Sequence, residues 1–285
     1  MAALRIGTCS WKYDSWAGLV YSDEARANYL NEYARHFDTV EVDQWFWSLF
    51  GRDKVALPRP EAVEEYAASV PASFRFSVKA PNSVTLTHFY RKARSDPLVG
   101  NPHFLSVDIF KEFLGALEPM GNRLGPVMFQ FEYLNKQKMA APGAFFEQFS
   151  DFISRCPTGY QYCLEIRNPN YLTDDYFDFL KSNGLSHVFV HGYYMPSIFE
   201  IYRKFSSHIR KLTVIRLHGP SRSDIEAKTK KKWNKIVEPR DAELDSLKKM
   251  LDDLRRRKVT TYLNVNNHYE GSAPLTIERI KSRLG

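Results

Sequence analysis

The 285-residue sequence has only three cysteines (Cys9, Cys156 and Cys163) and no Asn-x-Ser/Thr glycosylation sequon. So few cysteines argue against a disulfide framework and fit a reducing compartment, where all three are expected to be free thiols. No apolar run approaches the ~18 residues needed to cross a bilayer. The first residues enter a predicted strand directly, without the basic and apolar regions of a signal peptide. We therefore expect a cytoplasmic protein with no membrane contact.

Two kinds of motif are also missing. No Gly-rich turn follows the first predicted strand, which disfavours an open, doubly wound nucleotide-binding sheet. No His-x-His or Cys-x-x-Cys pair occurs, so these compact metal-ligand spacings are absent. His88, His191, His218 and His268 remain candidate ligands because barrel metal sites collect ligands from separate strands, but hydrogen-bonded histidines are the commoner case. We assign no metal residue, and the sequence names no cofactor.

The net charge of +7 is unevenly placed. Residues 203–258 carry 18 Lys and Arg against 8 Asp and Glu, whereas the totals of 40 and 33 leave 22 against 25 elsewhere. A basic excess in one part of a chain favours an anionic partner, although a solvated helix face gives the same count.

Strand and helix patterns alternate about eight times with no linker between them. Hydrophobic residues make up 44% of the chain, which is enough for a large core. The predicted strands cover residues 4–9, 38–43, 74–80, 126–131, 161–167, 186–191, 213–219 and 260–265. This alternation predicts one (β/α)8 (TIM) barrel domain spanning residues 1–285.

The strand Thr213-Val-Ile-Arg-Leu-His-Gly219 illustrates the expected geometry. Ile215 and Leu217 form its apolar side, which should face the helices, and Arg216 and His218 then face the barrel interior. The same alternation predicts inward positions for Glu41, Asp43, Arg75, Lys79, Gln130, Glu165 and Arg167. Most of them lie in the C-terminal halves of their strands, where barrel active sites form. Three acids against four bases leave a positive remainder that an anionic ligand would balance; the alternative is an ion-pair network that only stabilises the fold.

Several segments together resemble a known family. They are Gly7-Thr-Cys-Ser-Trp11, Thr39-Val-Glu-Val-Asp43, residues 74–80, Thr87-His88, residues 124–131, Glu165-Ile-Arg167, Ile215-Arg-Leu-His-Gly219 and Asn266-Asn267. The set is similar to the YecE-like family (domain of unknown function 72), in order and over nearly the whole chain. The resemblance implies a (β/α)8 barrel, similar to apurinic endonucleases and sugar isomerases at fold level, and supplies no reaction. The family's usual His and Trp after Glu-x-Arg are replaced here by Asn168 and Tyr171, and an expected Ala-Asp pair by Val190-His191-Gly192, which identifies a divergent member.

The inward-facing residues suggest specific roles. Glu41 and Glu165, on non-adjacent strands, are candidates for general acid–base catalysis, with His218 as a third catalytic candidate. Lys79, Arg167 and Arg216 suit a phosphate or carboxylate. Further candidate ligand contacts are Gln130, Asn266, Asn267, Trp11 and His88. In each case the alternative is a structural pair or turn contact, and Cys9 and Ser10 are expected to pack rather than to act as nucleophiles.

Aromatic and basic residues follow several strands. The aromatics are Trp11, Trp16, Trp45, Phe46, Trp47, Tyr193 and Tyr194; the basic residues are Lys12, Arg91, Lys92, Arg94 and the segment 228–235, which we expect to loop out. This mixture is used for single-stranded or flipped bases, and sugars stack on the same rings. Such aromatics also often do no more than cover the barrel top.

Our hypothesis from the sequence is an enzyme acting on a phosphate-bearing substrate, nucleic acid included. The alternative is a non-catalytic barrel that binds nucleic acid or a metabolite. An anionic partner is therefore expected, and the sequence gives no oligomeric state.

Overall fold

The computed structural model describes residues 3–22, 28–91, 93 and 95–285. Eight parallel strands form a closed barrel in which each strand pairs with the next in sequence and the last pairs with the first. The strands are β1 (Leu4–Thr8), β2 (Thr39–Val42), β3 (Arg75–Lys79), β4 (Leu124–Gln130), β5 (Tyr162–Glu165), β6 (Ser186–Gly192), β7 (Leu212–Gly219) and β8 (Thr260–Val265). The predicted (β/α)8 barrel is confirmed, with strand ends within about two residues of those expected.

Helices connect the strands around the outside of the barrel. They are α1 (Tyr29–Tyr33), α2 (Pro60–Ala68), α3 (Asn82–Thr85), α4 (Val107–Ala116), α5 (Pro142–Ser154), α6 (Asp174–Ser182), α7 (Ile198–Phe205), α8 (Arg222–Thr229), α9 (Asp241–Arg256) and α10 (Ala273–Leu284). Short 3-10 helices occupy Asp14–Trp16, Gln44–Phe46, Glu118–Arg123, Pro169–Tyr171 and Ser206–His208, and a small hairpin pairs Leu49–Gly51 with Lys54–Val55. Of the helix predicted from about Ser22, residues 23–27 lie outside the described part.

The outer core is formed by the apolar side of each strand and one face of each helix. Ile215 and Leu217 of β7 are fully buried in it, as their alternation predicted. Helix α9 contributes Leu244, Leu247 and Leu251, whose spacing of three and four residues places them on one face. Burying such a face against the sheet is the main stabilisation of a helix in a folded protein.

The barrel interior changes character along the strands. Towards their N-terminal halves, the inward side chains form a separate buried apolar cluster of Met128, Cys163, Val188, Leu212, Val214 and Tyr262. Arg216 lies two residues after Val214 on the same inward side of β7, and it pairs in register with Asn264 of β8. The polar residues around Arg216 therefore lie towards the C-terminal end, above a packed apolar layer.

Two expectations were wrong. Arg75 does not join the charged group, because its guanidinium donates from Nη1 to the backbone oxygens of Ala72 (2.9 Å) and Phe74 (2.8 Å) at the start of β3. The segment 228–235 does not simply loop out. Lys228 lies in the last turn of helix α8, and Trp233 is buried, with its backbone N–H donating to Ser15 Oγ at 3.0 Å.

No helix within the described ranges is both long and apolar enough to cross a membrane. The three cysteines are free and buried.

Candidate functional site

Arg216 is the centre of the polar interior. Its side chain is 2% exposed, and it donates from Nε to Glu41 Oε2 (2.8 Å) and from Nη2 to Glu41 Oε1 (2.6 Å). Nη1 donates to Gln130 Oε1 at 3.0 Å and also to Glu165 Oε2. Glu41 of β2 and Glu165 of β5 are thus joined through one guanidinium, a planar fork suited to carboxylates. Burial lowers the pKa of Arg216, but Glu165 and Glu41 outweigh it and hold the pKa well above its usual value.

Glu165 is a fixed anion in this arrangement. Besides Arg216, it accepts a hydrogen bond at Oε1 from Arg167 Nε at 2.9 Å. Burial raises the pKa of its carboxyl, but the two arginines more than offset this and bring the pKa to about 2. A carboxylate with so low a pKa is a poor proton carrier near neutral pH.

Glu41 is also fully engaged. Both its oxygens accept from Arg216, and Oε2 also lies 3.3 Å from Asn264 Nδ2, which in turn donates to Ser77 Oγ at 3.1 Å. The two predicted acid–base carboxylates do lie together, as expected, but each is committed to Arg216.

The charges at this end are balanced. With Arg75 at the opposite end, Glu41, Asp43 and Glu165 face Lys79, Arg167 and Arg216, so the positive remainder inferred from the sequence is wrong. Attraction of an anion must therefore come from individual unpaired donors rather than from net charge.

A cavity of about 740 Å³ opens above Arg216 at the C-terminal end of the barrel. Its lining comes from the ends of the strands and the loops that follow them, including Glu41, Lys79, Gln130, Arg167, His218 and Asn266. We call this space the mouth cavity. Its volume suits a small organic ligand.

Two cations of the mouth cavity have unused donors. The Lys79 ammonium lies 3.8 Å from Glu41 Oε1 and 5.0 Å from the Phe46 ring centroid, and it donates no hydrogen bond to any described residue. Burial lowers its pKa, opposed by Glu41. Arg167 uses only Nε; its Nη1 and Nη2 have no partner among the described residues, and its guanidinium lies 3.9 Å from the Tyr193 ring centroid.

His218 is held neutral at the same wall. Burial, and then the neighbouring charge of Arg216, lower its pKa well below the usual value. Nδ1 lies 3.3 Å from the Tyr193 hydroxyl, and Nε2 is buried with no hydrogen-bond partner in the described chain. A neutral imidazole with one unpaired nitrogen can form a hydrogen bond with a ligand and exchange a proton through it.

Helix α8 brings its N-terminus to the mouth cavity. The cavity is lined by Gly219, Pro220, Ser221, Arg222 and Ser223, which join the end of β7 to the first turn of α8. Gly219 is needed for this turn, because its φ is +81° and a Cβ there would lie 2.4 Å from the His268 backbone oxygen. Ser221 caps α8 by accepting from Asp224 N at 3.4 Å. Backbone N–H groups of a helix's first turn favour anions.

Three of the predicted contacts lie outside the cavity lining. Trp11 is 1% exposed and packs edge-on against Tyr66 with ring centroids 5.1 Å apart. His88 Nδ1 lies 3.0 Å from Thr87 Oγ1. Asn267 is buried and its Oδ1 accepts from Ala273 N, the first residue of α10. These three side chains serve the packing and turns around the mouth.

The aromatic prediction divides in two. Trp16 and Trp45 belong to the buried core, like Trp11. Phe46 is buried but lines the cavity, and Trp47, Tyr193 and Tyr194 are exposed beside it. Lys92 and Arg94 lie outside the described residues. Sequence reasoning missed Tyr13, Tyr90, Ser221, Arg222 and Glu226, which also line the cavity. The Ser-Arg-Ser-Asp run at 221–224, a helix N-cap pattern, was the available signal for α8.

The histidines do not converge. His187 and His191, spaced four residues apart on β6, bond instead to Tyr176 (3.1 Å) and Glu243 (3.0 Å), and His268 lies 3.1 Å from Glu226. Within the ranges that the structure describes, no group of three His, Cys, Asp or Glu side chains could hold a metal ion. Cys9 lines the cavity, but burial raises its thiol pKa well above the usual value, so the nucleophilic thiolate is disfavoured.

The residues that depart from the family pattern have structural contacts of their own. Asn168 is buried, with Oδ1 accepting from Leu134 N (2.8 Å) and Nδ2 donating to Leu134 O (2.9 Å), and so it holds the loop after β4. Tyr171 is in the core. Gly192 has a φ of +106°, and a Cβ there would meet the Gly219 backbone oxygen at 2.2 Å.

Fold and site together define a (β/α)8 barrel with a charged interior layer below a polar mouth. The sequence profile of the family "Protein of unknown function DUF72" matches residues 5–285, and the chain belongs to this family. The UPF0759 protein YecE of Escherichia coli K12 is 26% identical over 169 residues, which cover 59% of this chain and 50% of YecE. The chain thus spans about half the length of the curated relatives it matches.

Solved structures agree on the fold. A DUF72 family protein from Enterococcus faecalis matches with a TM-score of 0.68 at 18% identity, covering 99% of this chain and 95% of that one. A DUF72 family protein from Thermotoga maritima matches with a TM-score of 0.67 at 21% identity, covering 99% and 98%.

Proposed function

We propose that the mouth cavity binds a phosphate-bearing ligand and that His218 is the proton-transfer group beside it. The observation that carries this proposal is the position of helix α8. In (β/α)8 barrels, a phosphate site often forms from the loops after the seventh and eighth strands together with the N-terminus of a short extra helix. Here α8 is such a helix, placed between β7 and the long helix α9, and its first turn lines the cavity beside Asn266 of the loop after β8.

The unpaired donors support the same ligand. Arg167 lines the cavity with two terminal nitrogens that have no acceptor in the described chain, and the Lys79 ammonium reaches Glu41 Oε1 only at 3.8 Å, beyond hydrogen-bond distance. A phosphate has enough oxygens to accept from an ammonium, a guanidinium and helix N–H groups at once. Since the mouth has balanced charges, we expect selective binding from geometry rather than strong non-specific attraction of anions.

The catalytic part of the proposal moves from the carboxylates to His218. Glu165, with a pKa of about 2, and Glu41, with both oxygens on Arg216, position the guanidinium and through it the floor of the cavity. His218 lines the cavity and its Nε2 has no hydrogen-bond partner in the described chain, so it is the group left for proton transfer; burial lowers its pKa, and a bound phosphate anion would raise it again. Tyr193 orients the ring through Nδ1.

Binding is tested by calorimetric titration and thermal unfolding with inorganic phosphate, nucleoside 5′-monophosphates and sugar phosphates. At a ligand concentration ten times Kd, the free energy of unfolding should rise by about 1.4 kcal/mol. Lys79→Met should weaken binding about tenfold, while Lys249→Met, an exposed lysine on α9, should not. Equal affinity of the two variants would contradict the assignment.

A second candidate function is a non-catalytic binding barrel, which the engagement of both carboxylates with Arg216 favours. His218→Asn separates the two, because Asn keeps a polar atom near the Nδ1 position and removes Nε2. If the protein is an enzyme, turnover of a bound phosphate ester should fall about 100-fold or more while Kd stays near the wild-type value. Binding without turnover by the wild-type protein would support the non-catalytic function.

A further inference from the structure

Two surface grooves continue the mouth cavity in different directions. One, of about 520 Å³, is lined by Lys12, Lys231, Lys232 and Trp233 and shares Tyr13 with the mouth cavity. The other, of about 420 Å³, is lined by Tyr133 and Pro169 and shares Arg167, Tyr193 and Tyr194 with it. We call them the lysine groove and the tyrosine groove. Three adjoining depressions make a track longer than a single small metabolite requires.

Exposed aromatic side chains gather along this track. The large hydrophobic side chains exposed within the described chain are Trp47, Phe50, Tyr90, Val99, Tyr133, Tyr193 and Tyr194, and only one of these is not aromatic. Trp47, Tyr90, Tyr193 and Tyr194 line the mouth cavity, and Tyr133 lines the tyrosine groove. Exposed apolar patches on a soluble domain mark binding surfaces. Rings with accessible faces suit the stacking of unpaired bases.

The backbone holds two of these rings outwards at a conformational cost. Tyr193 and Tyr194 have φ values of +55° and +61°, in the left-handed region that bulky residues avoid. Such strain persists where the surrounding structure maintains it and is common at binding sites. It leaves the Tyr194 side chain fully exposed and the Tyr193 ring against Arg167.

Packing and a hydrogen bond fix the position of the lysine groove. Trp233 is buried with its ring centroid 4.8 Å from that of His268, and its backbone N–H bonds to Ser15, so the segment is held beside the mouth. Lys230, Lys231 and Lys232 are exposed just before it. Among the described residues, Lys231 pairs with Glu226 Oε2 at 3.8 Å, a long contact that leaves its donors available. Lysines along a groove track the phosphates of a nucleic-acid backbone.

We infer that the ligand is a single-stranded nucleic acid that crosses the mouth, with one phosphate in the mouth cavity. Its neighbouring phosphates lie in the lysine groove, and its bases stack on Tyr194 and the adjacent exposed rings. Paired bases hide their faces within a duplex, so only an unpaired strand can use these rings. An acidic peptide would use the lysines but not the flat aromatic faces. The inference rests on the proposed phosphate site and adds the two grooves.

The test measures the fluorescence anisotropy of a labelled ten-nucleotide oligothymidylate as the whole protein is added, at several potassium chloride concentrations. For single strands, the plot of log K against log salt has a slope of about −0.7 per phosphate contacted. Replacing Lys12, Lys231 and Lys232 by Ala together should therefore flatten the slope by about 2. The matched control replaces three exposed lysines on outer helices, Lys111, Lys181 and Lys249, and should leave the slope unchanged.

Stacking is tested by Tyr194→Ala, which should weaken oligothymidylate binding about tenfold with little change in salt slope. Equal binding of a duplex of the same length, or of poly-glutamate, would overturn the inference. So would a lysine triple variant with the wild-type slope.

Failure of this inference is distinguishable from failure of the proposed function. If nucleoside monophosphate binds and Lys79→Met weakens that binding about tenfold, yet the oligonucleotide binds no tighter than the monophosphate, the phosphate site stands and the track is wrong. If neither ligand binds, both proposals are wrong.

Discussion

The two ends of the barrel interior are built from the same strands but from opposite kinds of side chain. Towards the N-terminal end, Met128, Cys163, Val188 and Val214 pack into an apolar layer. At the C-terminal end, Arg216 binds Glu41 and Glu165. An apolar layer needs only complementary shape, whereas a charged layer must have every partner in place. The apolar layer closes the barrel, and the charged layer forms a polar, rigid floor beneath the mouth cavity.

Of the changes that test this difference between the two layers, removal of the central cation should have the largest effect on the free energy of unfolding. Arg216→Met leaves two buried carboxylates without their cation and should lower the free energy of unfolding by roughly 3–5 kcal/mol. The control is Arg155→Met just after α5, where Arg155 pairs at 2.6 Å with Asp151 and both side chains are more than half exposed, so that the pair should contribute no more than about 1 kcal/mol. Denaturant unfolding measures both. Similar losses in the two variants would show that the charged layer has no special structural role.

A cavity in the apolar layer should destabilise the fold without affecting the mouth. Met128→Ala removes a fully buried side chain and should cost about 2–5 kcal/mol. Phosphate affinity, measured by titration at a temperature where the variant is folded, should stay within about twofold of the wild-type value. A tenfold loss would mean that the two layers are coupled and that the mouth is not an independent site.

A change of one pH unit should have the smallest effect. Burial lowers the pKa of His187, near the start of β6, to about 3, so it stays neutral in the folded protein. The unfolded chain takes up a proton at this residue below about pH 6.5. Stability should therefore be fully present above that pH and fall by roughly 1.4 kcal/mol per unit below it, down to the folded pKa.

His187→Gln removes that proton uptake. Its free energy of unfolding should depend less steeply on pH between 6 and 5 than that of the wild-type protein. Identical slopes for the two proteins would contradict a neutral buried imidazole.

The sequence predicted the barrel because its strands alternate strictly, and alternation determines which side chains share a face. The alternation therefore correctly predicted that one set of residues lies together at the C-terminal end of the barrel: Glu41, Lys79, Glu165, Arg167, Arg216 and His218. It did not predict that Arg75 lies at the other end, because alternation gives the face of a strand and not the height along it.

The partners of the charged residues and the exposure of the aromatic residues could not be predicted from the sequence either. Nothing in the sequence states that Arg216 takes both carboxylates or that Trp11 is buried while Tyr194 is exposed, because these depend on contacts between distant segments. Helix α8 was hidden by the lysine-rich segment directly after it, because that segment resembles a solvated loop.

The most direct measurement is a crystal structure of the protein grown with a nucleoside 5′-monophosphate. We expect its phosphate in the mouth cavity, within about 3 Å of Lys79 Nζ and of backbone nitrogens in the first turn of α8. A phosphate bound outside the mouth, with Lys79 and the α8 N-terminus making no contact to it, would contradict the proposed site.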